Sequence, residues 1–138
     1  MKPLILVLFA SITLGACKKS KDAPAFTKEN VAGKYKTTKI AFAYGGAESD
    51  VTNDFMEDCA KDDITTLNVD LSYTYVDAGV SCGDDDYDGE WSIISSSKVT
   101  KDGEEFEVVK WDGTTLGLAT AFNMGTGDGK LITYMTKQ

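Results

Sequence analysis

After residue 30, apolar residues recur with the two-residue period of β-strands. In one such run, Phe106 and Val108 alternate with glutamates, so apolar side chains take one face of the strand and charged side chains the other. Turn-forming Asp-Gly dipeptides at 102–103 and 112–113 separate neighbouring runs. The pattern predicts eight strands, at 31–44, 64–69, 71–76, 89–94, 98–101, 104–111, 114–122 and 130–136.

The connections between the later strands are short. Parallel strands need long crossover connections, so these strands are expected to pair antiparallel. Eight consecutive strands joined by hairpins can close on themselves and leave no free edge. The sequence therefore predicts an all-β domain at 30–138, an eight-stranded antiparallel up-and-down barrel, with a flat sandwich as the alternative. The polar segment 47–58 is expected to form a short helix or a lid-like loop.

The first 16 residues have the order of features found in a secretion signal. Residues 1–3 carry a positive charge, residues 4–9 are all apolar, and small residues follow before Cys17. The apolar stretch is shorter than the roughly 20 residues that a transmembrane helix needs. We therefore expect a cleaved signal at 1–16, and a buried core helix is the alternative.

The end of this signal carries a more specific motif. Leu14-Gly15-Ala16-Cys17 resembles the lipobox of bacterial lipoproteins, in which the cysteine thiol receives a diacylglycerol and becomes the first mature residue. The resemblance implies that Cys17 is lipidated and that membrane lipid is a partner of this chain; a signal cut ahead of an ordinary residue is the alternative. Residues 17–29 are polar, contain Pro24, and are predicted to be a flexible tether.

The charges near Cys17 bear on location. Surface-exported lipoproteins of the Bacteroidota resemble one another in having acidic residues soon after the cysteine, whereas lysines stand at positions 18, 19 and 21 here. This favours a protein anchored in the bacterial outer membrane and facing the periplasm over one exposed at the surface.

Overall charge narrows the classes of function. The chain has 14 Lys and Arg together, all of them Lys, against 22 Asp and Glu, with no His and a net charge of −8. Binding nucleic acid requires clustered cations, so no nucleic-acid partner is expected. Without His, the chain lacks the commonest general base and the commonest metal ligand. We therefore expect that the protein is not an enzyme.

Several short motifs carry a resemblance to a known family: Gly33-Lys34-Tyr35, Cys59-Ala60-Lys61-Asp62-Asp63, Tyr73-Thr74-Tyr75, Cys82, Gly89-Glu90-Trp91-Ser92 and Tyr134-Met135-Thr136-Lys137. On these motifs the chain resembles the small lipocalin-like domain lipoproteins of Bacteroidota. The resemblance implies a barrel whose interior takes a small apolar ligand.

Inward-facing side chains of a small barrel either fill its interior or line a pocket. The residues expected to face inward are Tyr35, Leu67, Tyr73, Tyr75, Trp91, Phe106 and Leu118. If they line a pocket, the protein binds a small hydrophobic ligand. If they fill the interior, it is a structural or protein-interaction module of the cell envelope.

Two cysteines remain after Cys17. In an exported domain, Cys59 and Cys82 are expected to form a disulfide, because the compartment is oxidising. A pair of free, reactive thiols is the alternative.

An acidic loop offers the one candidate for a cofactor. Asp84, Asp86 and Asp88, followed by Gly89, match the opening of a calcium-binding loop. The twelfth position of that motif needs Glu and is Ser95 here. The loop is therefore either a calcium site or a solvated acidic turn, and no other cofactor is expected.

Replacing the lipidated cysteine tests the anchor. Cys17→Ala should abolish incorporation of labelled fatty acid and release the protein from the membrane fraction, because the acyl chains are the proposed attachment. Ser20→Ala, in the tether, should keep both properties. A Cys17→Ala protein that stays membrane-bound, together with a wild type that carries no lipid, would refute the anchor.

Overall fold

A computed structural model describes residues 22–123, 125 and 127–138 of the chain. The signal and Cys17 lie outside the described residues. Within these residues, the strands are β1 (Gly33–Tyr44), β2 (Ala47–Asp50), β3 (Ile64–Leu67), β4 (Ser72–Val76), β5 (Tyr87–Ser95), β6 (Lys98–Lys101), β7 (Glu104–Trp111), β8 (Thr115–Asn123) and β9 (Asp128–Lys137). The helices are α1 (Lys28–Val31), α2 (Thr52–Phe55) and a 3-10 helix (Asp58–Lys61). None of the helices in the described ranges has the length and apolar character needed to cross a bilayer.

The strands form a closed antiparallel barrel. From β3 to β9, each strand pairs with the next along the chain. β1 pairs on one side with β3 and on the other with β9, where the paired residues run from Tyr35–Lys137 to Ala43–Lys130. Eight strands thus complete the barrel, and the prediction of an up-and-down, lipocalin-like barrel is confirmed.

β2 is the extra, ninth strand, in a segment expected to be helix or loop. It forms a hairpin with the second half of β1, through a turn at Gly45 and Gly46, whose φ angles are +58° and +84°. Two consecutive positive φ angles suit the tight turns that join hairpin strands. All four β2 residues are exposed, so this strand lacks the apolar alternation by which the others are recognised. The predicted helix is confined to α2.

α1 covers the end of the barrel at which β1 begins, here called the closed end. The Thr27 side chain caps α1 by accepting a hydrogen bond from the Asn30 backbone N–H. Val31 was expected in the first strand, but it is the last residue of α1 and is fully buried. It packs in a core cluster with Tyr35, Leu67, Tyr73, Trp91, Leu116 and Met135.

The segment before α1 also packs on this end. The Trp111 indole N–H donates to the Pro24 carbonyl oxygen at 2.9 Å. The Phe26 ring meets the Trp111 ring edge-on, with centroids 5.7 Å apart. Part of the predicted tether is therefore attached to the barrel.

Alkaline titration tests the packing of the closed end. Burial raises the pKa of Tyr35 to about 12, whereas an unfolded tyrosine titrates near 10. The stability that this group contributes is fully present below pH 10 and is lost as the pH rises through about 12.

Tyr35→Phe should flatten the fall in the free energy of unfolding between pH 10 and 12, measured by urea denaturation. At neutral pH it should cost about 1 kcal/mol, because the Val31 carbonyl oxygen loses the Tyr35 hydroxyl as its donor. Tyr44→Phe, at an exposed position, should keep the wild-type profile. An unchanged slope for Tyr35→Phe would contradict the assignment.

Candidate ligand site

The barrel encloses a cavity of about 170 Å³. Its position follows from register: Leu116 pairs with Met135, Leu118 with Thr133, and Thr120 with Leu131. Paired residues share a face of the sheet, so these side chains form one wall. Aromatic and aliphatic groups from other strands complete it, including Leu67, Trp91, Val99 and Phe106.

Threonines leave the space for this cavity. Thr65, Thr120 and Thr133 occupy inward positions among larger leucine, methionine and aromatic residues. Their short side chains do not reach the opposite wall of a barrel that larger residues would fill. They also place hydroxyl groups, which can donate and accept hydrogen bonds, along a surface that is otherwise mostly apolar.

The volume of the cavity sets the size of an occupant. An apolar cavity of about 150 Å³ accepts benzene, whereas drug-sized ligands occupy about 300–1,000 Å³. The barrel interior therefore fits a molecule of one ring or a short aliphatic chain. A long-chain fatty acid or a retinoid exceeds it.

The residues expected to face inward divide into two groups. Leu67, Trp91, Phe106 and Leu118 line the cavity. The three tyrosines do not: Tyr35 and Tyr73 are buried in the core cluster, and Tyr75 stacks on the exposed Tyr87 ring, with centroids 4.7 Å apart.

Two of these tyrosines donate to carboxylates. The Tyr73 hydroxyl donates to Asp102, and the Tyr75 hydroxyl donates to the buried Asp63. Burial, and then these hydrogen bonds, raise the pKa of both Tyr73 and Tyr75. Both phenols therefore remain neutral donors at physiological pH. The Tyr73 hydrogen bond in turn holds the pKa of Asp102 below its usual value.

Lys101 is a site residue that sequence analysis did not single out. It pairs with Trp91 across β5 and β6 and borders the same cavity. Its ammonium nitrogen lies 4.5 Å from the centre of the Tyr73 ring and 5.7 Å from that of Tyr87. The alternation of Lys101 with Val99 in the short strand β6 was the available signal, but a lysine at a strand end is typical of an exposed position.

A disulfide joins Cys59 to Cys82, with Cα atoms 5.3 Å apart. It links the segment before β3 to the β4–β5 loop, at the end of the barrel opposite α1. The Asp77 carboxylate organises that loop, because it accepts from the Ser81 hydroxyl and from the backbone N–H groups of Cys82, Gly83 and Asp84. These hydrogen bonds lower the pKa of Asp77, and the bond from Ser81 has the largest effect.

The residues of the predicted calcium loop take separate roles. Asp86 accepts a hydrogen bond from the Asp77 backbone N–H, and Asp88 lies in β5 opposite Thr74. In the part of the chain that the structure describes, the close groups of acidic and cysteine side chains are Glu57 with both disulfide cysteines, and Asp63 with Asp77 and Cys82. Asp84, Asp86 and Asp88 do not form such a group there. Calcium binding stays a prediction.

Comparison with known proteins adds no family to this description. No protein-family model matches the chain, and the search of curated proteins likewise found no match. The functional interpretation therefore depends on the geometry of the barrel interior.

Removing the disulfide tests its contribution. Peptide mapping without reductant should recover Cys59 linked to Cys82. Cys59→Ser, Cys82→Ser and the double variant should each lower the free energy of unfolding by about 2–5 kcal/mol, because each removes the same loop closure from the unfolded chain. Markedly different values for the two single variants, or two freely alkylated thiols in native protein, would contradict the bridge.

Proposed function

We propose that this protein is a membrane-anchored lipoprotein whose lipocalin-like barrel binds one small apolar molecule in its interior. The observation that carries the proposal is the 170 Å³ cavity walled by Trp91, Phe106 and aliphatic side chains. Moving apolar surface from water into such a cavity is favourable by about 25 cal/mol per Å².

The proposed anchor would act together with the cavity. Apolar molecules concentrate in membranes, so a barrel held beside a bilayer samples a high local concentration of ligand. Fully extended, the 12 tether residues 18–29 span at most about 40 Å. The contacts of Pro24 and Phe26 with Trp111 shorten the free part of that span.

A second candidate function is supported by the outer surface. A groove of about 800 Å³ runs over small residues that include Ala119, Ala121 and Gly129. The ion pairs Lys98–Glu105 and Lys130–Glu107 border it. Such a groove suits a protein-interaction module of the cell envelope. This is the function that we would favour if the cavity bound nothing.

Titration with a one-ring hydrocarbon tests ligand binding. Toluene added to the purified mature protein should change the fluorescence of Trp91 saturably, because Trp91 forms part of the cavity wall. Trp111→Phe removes the other tryptophan and should keep the response. Glycerol, which has no apolar body, should give none.

A variant that fills the cavity completes the test. Val99→Phe adds an aromatic ring at a buried wall position and should abolish the toluene response. Val109→Phe makes the same change at an exposed position on β7 and should leave the response intact. If no panel of one-ring probes gives a saturable change and organic extraction of native protein yields nothing, the binding function is refuted.

A further inference from the structure

One charged side chain borders the cavity. In the described part of the chain, every residue of its wall is apolar or a threonine, except Lys101. The pairing of Lys101 with Trp91 places both on the inner face of the barrel. The cavity is therefore bordered by apolar residues, threonines and one cationic residue, whose ammonium group lies against the Tyr73 and Tyr87 rings beside the wall.

The contacts of Lys101 leave its hydrogen-bonding capacity available. Its ammonium group lies against the faces of the Tyr73 and Tyr87 rings, and π faces do not take the place of oxygen acceptors. In the ranges that the structure describes, ion pairs join other lysines to carboxylates, but none includes Lys101.

The adjacent carboxylate is already engaged. Asp102 accepts from the Tyr73 hydroxyl through one oxygen and from the Glu90 backbone N–H through the other. These two bonds hold it at the β6–β7 turn. Lys101 and Asp102 are neighbours in sequence, yet their side-chain charged atoms do not come within ion-pair distance.

An apolar cavity excludes an isolated carboxylate, because losing hydration without a partner is costly. A lysine ammonium offers three donors and the opposite charge, and charge-assisted hydrogen bonds are about twice as strong as neutral ones. The same ammonium would disfavour a cationic ligand and would gain nothing from a hydrocarbon.

We infer that the cavity selects a small apolar molecule that carries an anionic group, a one-ring carboxylate being the simplest example. The ring packs against Trp91, Phe106 and the leucines of the wall, and the carboxylate accepts hydrogen bonds from Lys101. This inference rests on the proposed function, since it assigns the chemical class of the molecule that the interior binds.

Calorimetric titration with three probes of similar size tests the class. Benzoate should bind, toluene should bind more weakly, and benzylamine should not bind. Lys101→Met keeps the length of the side chain and removes its charge. This variant should weaken benzoate binding by at least about tenfold, the usual effect of losing a hydrogen bond to a charged group, and should weaken toluene binding far less or not at all.

Matched variants separate this role from a structural one. Lys98→Met, on the same strand but paired with Glu105 on the outer face, should leave benzoate binding unchanged. Lys101→Arg should largely restore it. Because Lys101 also lies on the Tyr73 ring, the thermal midpoint and toluene affinity of Lys101→Met are measured alongside, so that a loss of folding is distinguished from a loss of anion binding.

The outcomes distinguish a failure of the anion selectivity from a failure of ligand binding itself. Unchanged benzoate affinity in Lys101→Met, or benzylamine bound as tightly as benzoate, would overturn the selection for anions while leaving a cavity that binds apolar molecules. Loss of toluene and benzoate binding together in Lys101→Met would mean that Lys101 acts by holding the tyrosines, which also overturns it. If the wild type binds neither probe, the proposed function itself fails.

Discussion

The pairing of β1 with β9 is the contact on which the rest of the structure depends. It joins the first and last strands, closes the sheet, and thereby gives every strand an inner and an outer face. A bulge between Thr37 and Lys39 resets the phase of β1. As a result, Phe42 faces inward, shares this face with Leu131 and contacts Phe122. Ala41 faces outward and packs with Ala119 and Ile132. A shift of one residue in this pairing would exchange the two sets.

Closure also explains why the interior holds a cavity rather than a fully packed core. The closed end is filled by large side chains, against which Val31 of α1 packs. Further along the barrel, threonines replace the bulky residues and the walls no longer meet. The polar groups near the tyrosines are held by Asp63 and Asp102. The disulfide and the Asp77 hydrogen bonds order the loop next to them, so the interior is bounded by fixed groups.

The sequence predicted the parts of this molecule that follow from alternation. Strands with one apolar face are recognisable from alternation. The same alternation predicted that Leu67, Trp91, Phe106 and Leu118 face inward. Strand β2 was not predicted, because none of its side chains is buried. Whether a tyrosine lines a cavity or bonds to a distant aspartate depends on pairing across strands, and the partners of Tyr73 and Tyr75 lie 29 and 12 residues away. The inward position of Lys101 was not predicted for a related reason, because only the closed barrel turns a strand-end lysine towards the interior.

The position of β9 has a consequence for the order in which the contacts of the barrel form during folding. Of the nine strands, the one that completes the barrel is the last in the chain, and its partner β1 is the first. Neighbouring hairpins can form early, because they need only short loops. The closing contact can form only when almost the whole chain is available. Its formation has the entropic cost of joining segments about 100 residues apart. A nascent or truncated chain therefore presents two open edges and an uncovered apolar face. Such a chain remains a substrate for chaperones and proteases until β9 pairs with β1.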